Sequence, residues 1–284
     1  MRARLAIGLM AATVLACAGP DLWTDLTSVS SGRTNDGRVR RPVEVGAKGE
    51  GRVVPKRWQE RGLNYGVDEL VEAIDRAAKF VAAQAPGGVL GVADLSPLRG
   101  GRSRWHSSHQ SGRDVDLIFY STDEDGVAKA PLPEDMLHYD GDGVAYAPRR
   151  VTYVAPDWAS RRFDTHRNWL LLEALLRDTQ IRVQWVFVSD PLKERLLAHA
   201  REAGRPAWLI EYAARLLGQP GDAPPHDDHF HVRIYCPRGD RFHGCEDRGV
   251  VWRHEKKSIK YGGPERYDPV LRRLVTVPAL LGPA

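Results

Sequence analysis

Apolar positions along this chain follow two different periods. From Asp68 to Ala85, Leu70, Val71, Ile74, Ala77, Ala78 and Val81 recur at helical spacing, and Pro86-Gly87-Gly88 ends the run. Trp169 to Leu176 reads as a second helix. Pro191, just after Asp190, suits the first position of a third that runs to about Glu202, and a fourth spans Ala207 to Leu217 before Gly218. Strand patterns lie between them: Val89 to Val92, Val115 to Tyr120, Val151 to Val154, Val183 to Val188, and the alternating His229 to Tyr235. Asp94 to Arg104, the acidic stretch through Gly126, and Gly141 to Arg150 are rich in turn formers. Helices and strands mix without a regular βαβ rhythm, which predicts an α+β domain and not a doubly wound sheet. No internal repeat is visible.

The first sixty residues differ. Arg2 and Arg4 precede an apolar run from Leu5 to Ala16 that is short for a membrane span, the pattern of a secretory signal. The run ends Val14-Leu15-Ala16-Cys17, which resembles a bacterial lipobox, although Leu15 stands where a small residue is commoner. Lipidation at Cys17 and ordinary cleavage near Ala16 or Ala18 are both open. Residues 18 to about 60 are rich in Gly, Ser, Arg and Pro, lack a sustained period, and read as a tether followed by an irregular arm. Setting Cys17 aside leaves Cys236 and Cys245, which flank a short loop and are placed to close it as a disulfide in an oxidising compartment.

Composition narrows the picture modestly. An apolar share of 42% and eight tryptophans supply a core, and the formal charge of +4 is mild for 284 residues. No aromatic–basic interleaving or known reader motif is present, so no nucleic-acid partner is expected.

The candidate chemistry lies in two histidine clusters. His229 and His231 are two apart on a strand pattern, so both imidazoles face one side. Two histidines on a polar strand face would look the same. The other cluster holds His106 and His109, then Asp114 and Asp116 inside an apolar run. A carboxylate there is costly to bury unless it is paired or binds a metal. From the residues alone the partner is a cation such as Arg113 or Arg99, or a metal, and either aspartate is a candidate ligand.

Taken together, His109-x6-Asp116 and the distant His229-x-His231 resemble the metal signature of the superfamily of lysostaphin-type peptidases, D-Ala-D-Ala metallopeptidases and the hedgehog domain. The fuller strings are Asp94-Leu-Ser, Arg99-Gly-Gly, His106-x-x-His109-Gln-Ser-Gly, Asp114-Val-Asp116 and His226-Asp-Asp-His229-Phe-His231-Val-Arg-x-x-Cys236-Pro237. They resemble the penicillin-insensitive murein endopeptidase family over roughly residues 40 to 247. The resemblance implies a small central antiparallel sheet with flanking helices and long loops. It implies Zn2+ held by His109, Asp116 and His231, His229 as the catalytic histidine, and His226 and His106 as further active-site histidines. Three protein ligands leave a fourth position for water, as in catalytic zinc sites. His229 or His226 is then suited to take up and return a proton. Arg99 beside Gly100-Gly101 is suited to grip a substrate carboxylate, or equally to make a structural ion pair.

The implied reaction is hydrolysis of D-alanyl–meso-diaminopimelyl cross-links between peptidoglycan stem peptides, in the periplasm or cell envelope. Alternatives are a D,D- or L,D-carboxypeptidase on uncrosslinked stems, and a non-catalytic zinc-bearing wall-binding module, against which the complete histidine set argues. The expected organisation is a signal segment over 1–17, the tether and arm over 18–60, and a zinc peptidase domain over 61–284 with a basic C-terminal tail. The insertions between Ser121 and Tyr146 lie outside the specific match, and the sequence leaves the oligomeric state open.

Overall fold

In the computed structural model, residues 27–147 and 157–252 are described. The expected signal segment with Cys17, the strand over 151–154 and the tail beyond Trp252 lie outside them.

Helix α1 (Lys56–Arg61) is short, and α2 (Asp68–Gln84) follows the apolar stripe read from the sequence, with Leu70, Val71, Ile74, Ala77, Ala78 and Val81 all buried. Helix α3 (Thr165–Arg177) starts at Asp164, whose carboxylate accepts from the Arg167 N–H at 3.0 Å and satisfies one of the free donors of the first turn. Helix α4 (Asp190–Glu202) has proline in its first turn, where a missing N–H does no harm, and α5 (Ala207–Leu216) follows.

The main sheet holds seven strands: β1 (Lys48–Gly49), β2 (Arg52–Val53), β3 (Leu90–Val92), β4 (Asp114–Ile118), β5 (Val183–Phe187), β6 (Leu217–Gly218) and β7 (His229–Ile234). Their order is β6-β5-β7-β4-β3-β2-β1. The α+β expectation holds, and the inner strands β5, β7, β4 and β3 are antiparallel as expected. The sheet as a whole is mixed, because β2–β3 and β5–β6 pair parallel. Each parallel pair is joined by a helical crossover, which is what parallel neighbours require.

Strand geometry divides the sheet chemically, since successive side chains point to opposite faces. On one face Val115, Leu117, Phe230 and Val232 are fully buried and share a single core with residues of α2 to α5. Phe230 packs edge-on against Phe119 at 4.7 Å, and Phe119 against Phe163 at 5.0 Å. Such aromatic pairs each add about 0.5–1.5 kcal/mol beyond area burial. Phe230 therefore anchors the strand on which His229 and His231 face the other way.

The arm is more ordered than its sequence suggests. Val29–Arg33 and Asp36–Arg40 form a hairpin. The Ser30 N–H donates to Asp240 at 2.7 Å and the Gly32 N–H to the Gly244 carbonyl at 2.8 Å. Both partners lie in the loop closed by the Cys236–Cys245 disulfide, whose Cα atoms are 5.9 Å apart.

Candidate active site

Strands β4 and β7 set His231 opposite Asp116, Arg233 opposite Asp114 and His229 opposite Ile118. Asp114, Asp116, His229, His231 and Arg233 thus share the polar face. His109 enters from the loop before β4 with φ of 61°, a left-handed conformation that residues other than glycine seldom adopt. Its backbone N–H donates to Asp114 Oδ2 at 3.2 Å, and its Nδ1 lies 2.7 Å from the Leu95 carbonyl oxygen.

A carbonyl only accepts, so Nδ1 of His109 carries the proton and the lone pair of the neutral ring sits on Nε2. The same reasoning fixes two other rings. His231 places Nε2 3.1 Å from Asp114 Oδ1, which leaves Nδ1 free. His229 places Nδ1 2.6 Å from Asp228 Oδ1, which turns Nε2 toward the cluster. The other nitrogen of each ring faces one atom, Asp116 Oδ1, at 3.3 Å from His109, 3.3 Å from His229 and 3.5 Å from His231.

These spacings fit a metal. Ligands about 2.0–2.1 Å from a tetrahedral zinc are roughly 3.3–3.4 Å from one another. Moreover, His109 Nε2 and Asp116 Oδ1 are buried without a hydrogen-bond partner among the described residues, a condition that a shared cation relieves. Mixed imidazole and carboxylate donors suit zinc.

His106 is the other nearby donor. With His109 and Asp116 it presents ligand atoms within 4.8 Å of one another. Its Nε2, however, bonds Asp94 Oδ2 at 2.8 Å and lies 3.8 Å from the far oxygen of Asp116. His106, His229 and His231 each stand as a further candidate donor beside His109 and Asp116.

The charges differ between rings. Burial opposes protonation of His231 and outweighs the Asp114 hydrogen bond, so its pKa falls to about 4 and the ring is neutral near pH 7. Burial also opposes protonation of His229, but the Asp228 and Asp116 carboxylates outweigh it and hold this imidazole well above its usual value. His226 is pushed down to about 4 by burial and then by the neighbouring His229. For Asp116, burial favours the neutral acid, yet His109 and His229 hold it well below the usual carboxylate range. These directions describe the metal-free cluster.

The structure brings His106, His109, Asp116, His226, His229 and His231 together. The His226 ring is 5.3 Å from that of His229, with its Nδ1 3.2 Å from Gln219 Oε1. Arg113, one alternative partner for Asp116, pairs with Asp247 at 3.0 Å instead. Arg99 is exposed and makes no side-chain ion pair among the described residues. His166 and His199 face each other on α3 and α4, with ring nitrogens 3.3 Å apart, away from this cluster.

Sequence reasoning assigned no role to Asp94, Asp227, Asp228, His138 or Tyr146. Asp94 is fully buried between His106 and the Arg61 guanidinium at 2.5 Å, and Arg61 lies over the Trp105 ring at 4.2 Å. A carboxylate inside Val92-Ala93-Asp94-Leu95 is the same signal that drew attention to Asp116. Asp227 and Asp228 sit within the second histidine string itself. His138 and Tyr146 carry no local signal.

An α+β domain whose central sheet gathers imidazoles around one buried carboxylate defines the class: a protein with a metal-compatible centre on its sheet. The chain belongs to the penicillin-insensitive murein endopeptidase family, whose family model matches residues 30–256. It is 25% identical over 205 residues to the penicillin-insensitive murein endopeptidase of Haemophilus influenzae, an alignment covering 72% of this chain and 62% of that protein. Against the protein of the same name from Klebsiella pneumoniae it is 26% identical over 188 residues, covering 65% of this chain and 58% of the relative. The chain thus spans about three fifths of the length of these curated relatives.

Proposed function

We propose that this chain is a zinc-dependent murein endopeptidase that hydrolyses D-alanyl–meso-diaminopimelyl cross-links between peptidoglycan stem peptides. The observation that supports the reading is the approach of His109 Nε2 and His231 Nδ1 to Asp116 Oδ1 at 3.3 and 3.5 Å, with His109 Nε2 and Asp116 Oδ1 buried and unpartnered among the described residues; the choice of His231 over His229 and His106 follows the family resemblance. In this reading His109, Asp116 and His231 hold the metal. A zinc bound there supplies a water acidified toward neutral pH and a Lewis acid for the scissile carbonyl.

The chain's own residues do the rest. His229 is 18% exposed in its side chain and held by Asp228, so it meets solvent and substrate while its Nε2 faces the cluster. His229 is suited to donate to developing oxyanion charge and to deliver a proton to the leaving amine. His226, its ring 5.3 Å from that of His229, is suited to accept a proton from the attacking water; that proton then passes through solvent to restore His229 for the next turnover. His106 and the exposed Arg99 line the approach, where a guanidinium pairs with the carboxylates of a stem peptide. Peptidoglycan as substrate implies a location in the periplasm or cell envelope. Among the described residues, no helix is long and apolar enough to cross a membrane.

The decisive experiment incubates purified protein with cross-linked muropeptide dimers and measures bound metal on the same sample. We expect dimers to fall to monomers, cleavage to stop on chelation, and activity to return with zinc. Loss of terminal alanine from monomers with dimers intact would instead mark a carboxypeptidase. Zinc-loaded protein that hydrolyses neither would mark a wall-binding module.

A further inference from the structure

The inserted segment between Ser121 and Tyr146 builds a small hairpin, His138–Tyr139 paired with Ala145–Tyr146. This hairpin lies against the turn that leads into β7. The Tyr139 N–H donates to the Asp227 carbonyl at 2.8 Å. His138 Nδ1 lies 2.6 Å from Asp227 Oδ1, and the Tyr146 hydroxyl donates to Asp227 Oδ2. Asp227 therefore has both carboxylate oxygens and its backbone carbonyl engaged by one hairpin. On its other side, His138 Nε2 faces Asp228 Oδ2 at 3.8 Å. Asp228 Oδ1 in turn accepts from His229 Nδ1 at 2.6 Å.

We propose that His138 and Tyr146 are positioning residues for His229: they hold the Asp227-Asp228 turn so that Asp228 fixes the ring angle and tautomer of His229, with Nε2 aimed into the cluster. The inference rests on the proposed function for its kinetic consequence only.

Three features carry it. Tyr146 hydroxyl, Asp227, His138, Asp228 and His229 alternate acid and base along one line, from a residue 38% exposed at the surface to the cluster. His229 sits at the first position of β7, where the ladder alone constrains it least, and its opposite residue Ile118 ends β4. Its aim thus depends on what holds the preceding turn. Finally, although His138, Asp227 and Asp228 lie close enough to resemble a metal site, the two carboxylates approach different nitrogens of the His138 ring. His138 thus hydrogen-bonds Asp227 through Nδ1 and faces Asp228 through Nε2 at 3.8 Å, so one ring stands between the two carboxylates of the turn.

Removing an outer partner of this kind lowers activity about 10- to 100-fold where the partner orients an active group. The test uses the full chain loaded with zinc, comparing wild type with His138→Ala, His138→Gln, Tyr146→Phe and Asp228→Ala. Each is followed by muropeptide-dimer kinetics, zinc stoichiometry, thermal unfolding, and proton NMR of the hydrogen-bonded His229 Nδ1–H. We expect His138→Ala to lower kcat into that range, with KM within about twofold, zinc retained, and partial rescue in His138→Gln, whose amide still reaches Asp227. Tyr146→Phe should act in the same direction more weakly. The deshielded Nδ1–H signal should vanish in Asp228→Ala and shift or broaden in His138→Ala and Tyr146→Phe. A folded His138→Ala protein with wild-type kcat and an unmoved Nδ1–H signal overturns the inference. If wild type binds zinc but cleaves no dimer, the functional reading falls alone, because the NMR signal still decides whether the hairpin sets His229.

Discussion

Asp114 separates a ligand from the group that aims one. The carboxylate is fully buried; its Oδ1 accepts from Arg233 Nε at 2.6 Å and from His231 Nε2 at 3.1 Å, and its Oδ2 from the His109 N–H at 3.2 Å. Substituting Asp114→Asn keeps the shape and removes the charge. An asparagine has one acceptor oxygen, so either side-chain orientation sets its NH2 against a protein donor: His109 N–H in one, Arg233 and His231 in the other. One buried donor left unmatched costs roughly 1–3 kcal/mol, and a hydrogen bond to a charged partner contributes roughly 1.5–3 kcal/mol. Arg233 retains some solvent contact, with 17% of its side chain exposed, which places the loss near the low end of the 3–5 kcal/mol typical of broken buried pairs. We expect about 3 kcal/mol less stability in urea unfolding of the chelator-treated protein. Because His231 loses the acceptor that frees its Nδ1, zinc affinity should also fall about 10- to 100-fold in a competition titration. The stability difference should narrow in acid. Burial opposes ionisation of Asp114, but Arg233 and then His231 hold its pKa below the ordinary 3.8, so its contribution is present above that value and fades as pH falls through the folded value. A variant within about 1 kcal/mol of wild type, with unchanged zinc affinity, would refute the assignment of Asp114 as the prop of His231.

Two further outcomes follow from groups away from the cluster. Glu69 has one carboxylate oxygen buried without a partner, and burial, followed by Asp68, raises its pKa from 4.5 to about 8. A raised carboxyl stabilises the fold fully below the unfolded value and loses that contribution as pH rises toward 8, so Glu69→Gln should gain on wild type between pH 5 and 8, by roughly 2–4 kcal/mol after allowing for partial exposure. Urea midpoints that differ by the same amount at both pH values would contradict this. Replacing Cys236 and Cys245 together by serine opens the nine-residue separation between them and should lower unfolding stability by about 2–3 kcal/mol on the chain-entropy model. The readout is again urea unfolding, and an unchanged midpoint would mean that the loop is held by its other bonds.

Long periodic segments were readable because they satisfy one local rule. Helix α2 ends within a residue of the predicted run, and β7 appears where His229 to Tyr235 alternates. The arm was not readable for a physical reason. Its hairpin buries Ser28 and Ser30 and only two valines, and its partners Asp240 and Gly244 lie about two hundred residues away. Polar residues buried by distant partners leave no period in the local sequence. The parallel edges of the sheet were hidden likewise, since β2 and β6 are two-residue strands too short to carry a pattern.

The cluster divides along the same line. Candidate donors are local: strand alternation put His229 and His231 on one face and made Asp114 and Asp116 conspicuous in an apolar run, while the choice of Asp116 and the role of His109 came from the family resemblance. Donor aim is set elsewhere. Each imidazole is turned by an acceptor on its other nitrogen, Leu95 for His109, Asp114 for His231 and Asp228 for His229. Only Asp228 adjoins the ring it turns in sequence, and it is itself faced by His138 from an insertion ninety residues upstream. An imidazole offers one lone pair, and whether it points into a site is decided by where its proton is held. A metal motif therefore names the atoms that converge, while the residues that make them converge are recognisable only after the chain has folded around them.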